Sequence, residues 1–533
     1  MRLRYARLLT GSVLALAVAS AWAADPQAAT PADEPIRFNI QRFDVQDNTL
    51  LPQDVVAAAV APYTGTGRDF GDVQRALEAL EAQFHARGYN VVTVQLPEQE
   101  LDGGVVRLNV IETKIGRVRV TGNTVFDEAN IRRSLPALKE GATPNIGLVS
   151  TQLKLANENP AKKVTLKLQG GENDEVDANL AVADQRAWQA MLNLDNTGTD
   201  ATGRTHISAS LQHANLFGRD HVGSIQYTTT AENPDQVAVY GMGYHMPLYA
   251  LGDSVDLYAN YSDVDSGVVT AGIFDLAVSG RGTVVGGRYN DVLARRGEYS
   301  HRLVYGFDYK AFKNSILLAG NNFGNDVTVH PLSLGYVGSM PTATGKFGFS
   351  ATWSHNIPGG SRGGDRAFAA ARMGADPSYD VLRLSASASH ALAGRMQGWQ
   401  ARVVGNAQLS SDGLVPGEQF GAGGSASVRG FGEREVSADA GVNANFELYS
   451  PNLCGNGAWQ CRGLGFVDAA YAKRNHALPG ELVSTTIASA GLGVRVAYGN
   501  TMNLQLDWGH VVEQGELAVT DKNRVHVRLG FAY

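Results

Sequence analysis

The chain has 533 residues, of which 61 are glycine and 18 are proline, and its formal net charge at pH 7 is -7. This mildly acidic balance excludes the basic surface with which proteins hold nucleic acid, so we expect no nucleic-acid partner. The histidines are scattered, and no His-Glu-x-x-His segment occurs. We therefore also expect no metal site, no cofactor and no enzyme activity.

The N-terminus has the layout of a secretory signal peptide. Three arginines precede an apolar run that ends at Ala21-Trp22-Ala23, and this order predicts a signal peptide over residues 1–23. The alternative, a membrane anchor, needs about 20 apolar residues, and this run is shorter. Residues 24–35 are rich in Pro and Ala, which predicts a short flexible lead.

One short pattern occurs twice in the first part of the chain, 75 residues apart. Residues 43–50 read FDVQDNTL and residues 118–125 read VRVTGNTV, and an acidic, helix-prone stretch follows each. A repeat of this kind predicts one small αβ module used twice, over residues 36–112 and 113–186.

Both copies continue with the same order of helix and strands. In the first copy Val73, Leu77, Leu80 and Phe84 form one apolar helix face, and Gly88 is expected to end that helix. Two extended runs follow and predict a hairpin that packs on the helix. The second copy repeats this order, with a helix near residues 148–157.

This order of elements, with its Val-x-Gly-Asn-Thr turn, resembles a POTRA domain, the periplasmic module of outer-membrane assembly and secretion proteins. The alternative is a pair of αβ modules of unknown purpose. A POTRA domain would offer an exposed sheet edge and a helix groove. An unfolded client can add itself there as an extra strand.

Beyond about Trp188 the helical pattern ends and strand-length segments alternate apolar and polar residues. In the C-terminal segment Val525, Val527 and Leu529 share one face, whereas His526 and Arg528 share the other. In a membrane barrel the apolar face points to lipid and the charged face lines the lumen. We count sixteen segments, joined by short and long connections in turn.

These features predict an all-β, 16-stranded antiparallel barrel in the bacterial outer membrane over residues 187–533. Short connections lie near residues 217–220 and 249–252, whereas residues 361–377 form a long one. The alternative is a secreted β-sandwich or propeller.

The two cysteines, Cys454 and Cys461, lie in a turn-like segment. In an exported protein this arrangement predicts a disulfide that closes a small loop. The alternatives are two unrelated thiols or a zinc site. A zinc site would need two further ligands, and no histidine lies close enough in the sequence to supply one.

Together, the signal peptide, the POTRA-like repeats and the sixteen strands resemble the transporter component of two-partner secretion systems, the haemolysin and filamentous haemagglutinin secretion/activation proteins. In that family a long extracellular loop after the eleventh strand folds into the lumen and carries Val-Arg-Gly-Tyr at its tip. Here loop 412–434 carries Val428, Arg429, Gly430 and Phe431, so Phe replaces Tyr. The alternative is a mobile surface loop with an incidental arginine.

The family's second motif is Phe-x-Asp-x-Gly on the thirteenth strand. Phe466 and Asp468 match it, whereas Ala470 stands where the family has Gly. The resemblance implies that Asp468 faces the lumen and forms a salt bridge with Arg429. An arginine and a carboxylate in a confined lumen can form a short, charge-assisted pair.

Many family members begin with a helix that plugs the barrel. We predict no such helix in residues 24–35, because their composition is typical of a flexible segment. The folded-in loop would then restrict the pore by itself.

The resemblance implies an outer-membrane transporter, with its POTRA domains in the periplasm, that secretes an unfolded exoprotein through the barrel without ATP. Its partners would be a haemagglutinin-, haemolysin- or adhesin-like exoprotein, outer-membrane lipid, and the barrel assembly machinery, which would recognise the C-terminal strand ending at Tyr533. We expect a monomer. An insertase of the same superfamily is the alternative function, and a passive porin would not need the repeats.

Overall fold

The computed structural model describes residues 36–533 except 101–102, 173–174, 201, 236, 263–267, 272–273, 278–281, 314–316, 319–320, 323–325, 518 and 520. The predicted signal peptide (1–23) and flexible lead (24–35) lie outside the described residues. The described chain forms two compact units, residues 36–83 with 94–110 and residues 84–93 with 111–533. None of the described helices is long and apolar enough to cross a membrane.

The first αβ module contains a three-stranded sheet and two helices. Its elements are β1 (Phe38–Ile40), β2 (Arg42–Gln46), α1 (Gln53–Val60), β3 (Gly65–Arg68), α2 (Phe70–Ala86), β4 (Val92–Gln95) and β5 (Val105–Glu112). The sheet order is β2-β5-β4, with β2 parallel to β5. The apolar face of α2 packs on the strands, so that Val73 is buried with Ile40 and Val106.

The second αβ module repeats this order. Its elements are β6 (Ile115–Thr121), α3 (Glu128–Arg133), α4 (Ile146–Ala156), β7 (Lys162–Gly170) and β8 (Val176–Asp184). The sheet order is β6-β8-β7, with β6 parallel to β8. Its core includes Ile115, Phe126, Ile131 and Leu180.

The repeated Asn-Thr turn makes the same local hydrogen bond in both modules. The Asn48 side chain donates to the backbone oxygen of Leu51 over 2.8 Å, and the Asn123 side chain donates to that of Phe126 over 2.9 Å. An asparagine side chain can bind nearby backbone in this way and hold a turn. The repeat seen in the sequence is therefore a repeat of turn geometry.

In the second module this turn also folds around a carboxylate. The side chain of Asp184 accepts from the backbone N–H groups of Thr124, Val125 and Phe126, at 2.9 to 3.0 Å. Burial by itself raises the pKa of Asp184, but these hydrogen bonds outweigh burial and lower that pKa to about 2.

The rest of the described chain is dominated by a closed barrel. Its strands are β9 (Trp188–Asp195), β10 (His206–Leu216), β11 (His221–Thr230), β12 (Val239–Leu248), β13 (Asp253–Ser262), β16 (Gly282–Val292), β17 (Ser300–Phe312), β20 (Val327–Val329) with β21 (Pro331–Thr342), β22 (Gly345–Asn356), β23 (Asp380–Ala391), β24 (Gln400–Leu409), β27 (Ala440–Tyr449), β28 (Trp459–Lys473), β29 (Ser484–Tyr498), β30 (Met502–Glu513) and β31 (Asn523–Ala532). Outside this ladder lie the hairpins β14 (Val268–Ala271) with β15 (Phe274–Ala277) and β18 (Leu317–Leu318) with β19 (Asn321–Asn322).

Over the described residues the ladder contains sixteen strands, because β20 and β21 both pair with β17 and act as one interrupted strand. All neighbouring strands are antiparallel, and β31 pairs with β9 to close the barrel. The predicted fold class, αβ modules followed by a 16-stranded antiparallel barrel, is confirmed.

The two faces of the barrel wall differ as the alternation predicts. On β31, Val525 is 45% exposed and Phe531 is 43% exposed, whereas His526 between them is 4% exposed. On β28, Val467 and Tyr471 are exposed, and Asp468 is buried. The outer face therefore presents apolar side chains, as a surface in contact with lipid requires.

A helix in the connection between β22 and β23 contradicts the expectation that helical structure ends near Trp188. This helix, α5 (Asp365–Ala371), buries Phe368 against Tyr379, Leu414 and Val415. A helix this short is not stable in isolation. The tertiary contacts of Phe368, which the local pattern does not reveal, stabilise it.

A buried ion pair joins the second module to the barrel. Lys162 Nζ lies 2.5 Å from Asp220 Oδ2 in the turn between β10 and β11, and both side chains are at most 1% exposed. The hydroxyl of Tyr249 also donates to Asp220. In the same turn, the Asn130 side chain donates to the backbone oxygen of Gly218. The short turn between β10 and β11 thus lies against the second module.

Candidate functional site: the luminal loop

The connection between β24 and β27, the eleventh and twelfth barrel strands, folds into the lumen. Two short strands inside it, β25 (Phe420–Ala422) and β26 (Val436–Ala438), pair as a hairpin. The tip of the hairpin carries the predicted motif, and Gly430 lies at φ +96°. This left-handed conformation favours glycine, because other residues pay a steric cost for it.

Arg429 at the tip binds Asp468 on the thirteenth strand, β28, through two side-chain hydrogen bonds. Arg429 Nε donates to Asp468 Oδ2 over 2.7 Å, and Nη2 donates to Oδ1 over 2.8 Å. The backbone N–H of Arg429 donates to Oδ2 as well, over 3.1 Å. Both residues are buried, so the contact is a bidentate, charge-assisted ion pair shielded from water.

Two more carboxylates surround the guanidinium. Arg429 Nη1 donates to Glu447 Oε1 on β27 over 2.9 Å and lies 3.6 Å from Asp507 Oδ1 on β30. Each of these acids has a second arginine partner: Arg402 binds Glu447, and Arg495 binds Asp507. Three arginines and three carboxylates therefore form one network whose positive and negative charges balance.

Asp468 is held in place by the wall as well as by the loop. Asn445 on β27 donates its side-chain amide both to Asp468 Oδ1, over 2.8 Å, and to the backbone oxygen of Ser427 in the loop. The carboxylate is 0% exposed and accepts four hydrogen bonds in total from Arg429 and Asn445. Such saturation is what a buried anion requires.

Two phenylalanines, Phe466 and Phe431, complete the site. The guanidinium carbon lies 3.5 Å from the centre of the Phe466 ring, a cation–π contact. Phe431 is 1% exposed and packs in an apolar cluster with Val428, Ala470 and Val511. Phe431 in place of Tyr and Ala470 in place of Gly therefore lie in the same cluster. Both departures from the family motif are accommodated there by apolar packing.

Gly509 on β30 allows the tip to approach the wall. A Cβ atom at this position would lie 2.7 Å from Gly430 N and 2.8 Å from Arg429 C. Both are backbone atoms, so only glycine leaves room for the tip. Beside it, His526 Nε2 accepts a hydrogen bond from the backbone N–H of Gly430 over 3.1 Å.

The structure brings Val428, Arg429, Gly430, Phe431, Phe466 and Asp468 together in the lumen. Our reading of the sequence missed Glu447, Asn445 and Gly509 as members of this site. The alternation rule placed His526 on the inward face without assigning it a role, and the same rule applies to Asp507 on β30. The same rule, applied to Val442 to Phe446 on β27, would have placed Asn445 and Glu447 inward too.

The two cysteines lie apart from this site: Cys454 is in the connection between β27 and β28, and Cys461 is near the start of β28. Cys454 and Cys461 are bonded, with their Cα atoms 5.3 Å apart. Within the described residues, no group of three or more His, Cys, Asp or Glu side chains is arranged to hold a metal ion.

Two family models match the chain. Residues 174–496 match "Haemolysin secretion/activation protein ShlB/FhaC/HecB", and residues 38–113 match "POTRA domain, ShlB-type". The first match covers more than half of the chain. The chain belongs to the haemolysin secretion/activation family. This confirms the resemblance drawn from the sequence and places the protein in the outer membrane, with its POTRA region in the periplasm.

Relatives and solved structures agree with this assignment. The outer membrane transporter CdiB of Dickeya dadantii (strain 3937) is 26% identical over 36% of this chain and 34% of its own length, so the match spans about a third of that relative. CdiB from Escherichia coli superposes with a TM-score of 0.73 at 19% identity, over 95% of this chain and 92% of that one. CdiB from Acinetobacter baumannii superposes with a TM-score of 0.69 at 13% identity, over 94% and 91%. These superpositions show a common fold.

Proposed function

We propose that this protein is the outer-membrane transporter of a two-partner secretion system. It captures an unfolded exoprotein in the periplasm and passes it through the barrel without ATP. One observation carries this proposal: in a chain that belongs to a secretion family, the loop tip is bound inside the barrel through Arg429. The free energy for transport comes from folding of the client outside the cell, which biases the motion of the chain in one direction.

The client we propose is a large secreted haemagglutinin-, haemolysin- or adhesin-like protein, and the transporter works on it as a monomer without catalysing a reaction. The family match favours transport over insertion of other barrels. The loop tip, buried in the lumen and bound to Asp468, argues against a passive porin, whose lumen must stay open to solutes. We further propose that β31, which closes the barrel against β9, is the strand that the barrel assembly machinery recognises.

An apolar groove in the first module is the site where we propose that the client docks. The groove has a volume of about 380 Å³ and is lined by Phe38, Phe70, Val73, Leu96 and Val106. Phe70, at the start of α2, is 64% exposed. Leu96 follows β4, an outer strand of its sheet, so a client can add a strand to that edge and place an apolar side chain in the groove.

The decisive experiment expresses the exoprotein that we propose as the client together with wild type or with Arg429→Ala and measures the exoprotein in the medium. We expect secretion to fall sharply in the variant, while the barrel still assembles. Unchanged secretion would contradict the role of the loop arginine. A broad failure of other outer-membrane barrels to assemble would instead favour the insertase.

A second experiment tests capture. Phe70→Asp places a charge in the groove, whereas Gln74→Asp places the same charge on an exposed position of α2 outside it. Crosslinking of the exoprotein to the first module should be lost with Phe70→Asp and kept with Gln74→Asp. Equal crosslinking in both variants would exclude the groove as the docking site.

A further inference from the structure

The luminal loop touches the barrel wall at a second charged contact, at Glu418. This residue ends a short 3-10 turn, Pro416–Glu418, before the hairpin. Its Oε1 lies 2.7 Å from Lys310 Nζ, its Oε2 lies 2.9 Å from Arg383 Nη2, and its side chain is 1% exposed. A buried anion thus has one cation on each oxygen, an arrangement that compensates the cost of its burial.

The backbone at this point is fixed to the wall too. Gln408 on β24 donates its side-chain amide to the backbone oxygen of Glu418 over 3.0 Å. Arg383 also donates to Gln408 Oε1, over 2.9 Å. Side chain and backbone of Glu418 therefore bind the same patch of wall, and Arg383 links the two contacts.

The two contacts of the loop use different strands of the barrel wall. Lys310 is on β17 and Arg383 on β23, whereas the acids that bind Arg429 are on β27, β28 and β30. In the order of the sixteen strands formed by the described residues, β17 and β30 are eight apart, so they face each other across the lumen. Asp468, the main partner of Arg429, lies on β28, six strands from Lys310 and three strands from Arg383, so the loop's two contacts lie on separate sectors of the wall.

The charges at the two contacts have opposite signs. At Glu418 the loop is negative and the wall is positive, and at Arg429 the loop is positive and the wall is negative. A loop inserted in the reverse orientation would bring Glu418 to the negative part of the wall and Arg429 to the positive part, so like charges would meet at both contacts. Opposite polarity therefore specifies one docked orientation, which two contacts of the same sign would not do.

We infer that Glu418 is a positioning residue, a second electrostatic anchor that holds the luminal loop across the pore together with Arg429. The inference rests on the proposed function in one respect, that the loop must leave this position for the exoprotein to pass. Both anchors must break for the loop to leave. Loss of one anchor raises the fraction of molecules whose loop is undocked, and loss of both anchors raises it further.

The two anchors are separate contacts, and this gives a quantitative test. Effects of distant sites on one equilibrium add as free energies, so fold-changes multiply. Loss of the Glu418 side-chain contact should raise the fraction of time with the loop undocked by about tenfold, and loss of Arg429, which leaves Asp468 without its cation, should raise it by more. The variant that combines Glu418→Gln and Arg429→Ala should therefore show the product of the two single effects.

The measurement is single-channel conductance of the purified full-length protein in planar bilayers, for Glu418→Gln, Arg429→Ala and the two combined. Glu435→Gln is the matched control, because the Glu435 carboxylate accepts only from Gly432 within the same loop among the hydrogen bonds described. We expect the control to behave as wild type. If the combined variant conducts no more than Arg429→Ala by itself, Glu418 is not an anchor.

Charge reversal separates anchoring from a general need for glutamate at this position. Glu418→Lys should open the pore strongly, because it places three cations together. Adding Lys310→Glu and Arg383→Glu restores opposite charges and should bring conductance back toward wild type. Heat-modifiable migration on gels shows whether the barrel of this variant is still folded. If the barrel is folded and conductance is not restored, the inference is overturned.

Secretion measured in parallel separates this inference from the proposed function. If wild type secretes no exoprotein, the proposed function fails, while the conductance of the variants still reports the anchor. If secretion depends on Arg429 but conductance never responds to Glu418, the anchor fails and the transporter stands.

Discussion

Two buried contacts between a cation and an aspartate hold parts of this molecule to the barrel, and they are built differently. Arg429 binds Asp468 inside the lumen within a network that contains two more acids and two more arginines. Lys162 binds Asp220 at the junction of the second module as a single ion pair, with Tyr249 and Asn130 as neutral partners.

The difference predicts which contact can be undone. If the loop tip left the lumen, Glu447 would keep Arg402 and Asp507 would keep Arg495, so only Asp468 would lose its cation. If the second module left the barrel, both members of its ion pair would lose their charged partner. A network that stays mostly paired after one member leaves is suited to a moving part, and an isolated buried pair is suited to a fixed joint.

The largest expected effect follows from Asp468→Ala. The substitution removes the carboxylate that binds Arg429 in a bidentate manner, and loss of one member of a buried ion pair costs about 3–5 kcal/mol. We expect exoprotein secretion to fall as far as with Arg429→Ala, and the double variant to be no worse than either single one. Losses that add in full would show that the two residues act through separate contacts.

Loss of the ion pair between Lys162 and Asp220 should weaken the contact between the second module and the barrel, without a direct effect on the loop. Lys162→Met removes the cation from a buried Asp220 and should weaken the joint by about 3–5 kcal/mol. Hydrogen–deuterium exchange of the backbone amides in residues 214–220 should become faster. Lys163→Met, at the exposed neighbouring position, is the control. Equal exchange in the two variants would mean that the pair does not hold the joint.

A smaller effect is expected from crowding the loop tip. Gly509→Ala puts a methyl group 2.7 Å from Gly430 N, and overpacking of this kind costs about 1–3 kcal/mol. Secretion should fall less than with Arg429→Ala. Gly465→Ala is the matched control on the barrel wall, because the nearest atom to its Cβ would be 3.9 Å away. If both variants secrete equally, the close approach of the tip at Gly509 does not matter.

The smallest expected effect concerns Asp184, a more exposed carboxylate in the same module as Lys162. Its pKa of about 2 lies below the ordinary 3.8, so the ionised form stabilises the turn at pH values above about 3.8. This contribution is lost as pH falls toward 2. Because the group is largely solvated, we expect at most about 1 kcal/mol.

Pepsin, which is active in acid, provides the measurement for Asp184. Cleavage within residues 118–126 should rise between pH 4 and pH 2 in wild type, whereas Asp184→Asn should already be cleaved readily at pH 4. Asp177→Asn, on the same strand, is the control under identical conditions. A parallel rise in wild type and Asp184→Asn would show that this carboxylate does not hold the turn.

Much of this architecture could be predicted from the sequence because it depends on local periodicity. The period-two alternation along β31 identified the inward side chains, and the 75-residue repeat revealed two modules through the turns at Asn48 and Asn123. The motif residues Arg429 and Asp468 were found through a family resemblance. Periodicity by itself assigned Asp468 to one face of its strand, but it did not identify Arg429 as the partner of Asp468.

Only the tertiary structure decided which inward residues meet. Glu418 and Lys310 are 108 residues apart in the chain, and Gly509 touches a loop tip almost 80 residues before it. The short helix α5 depends on buried contacts of Phe368 for the same reason. The sequence by itself determined elements whose pattern is local. The closure of the barrel then set the long-range contacts, because it brings distant strands to face one lumen.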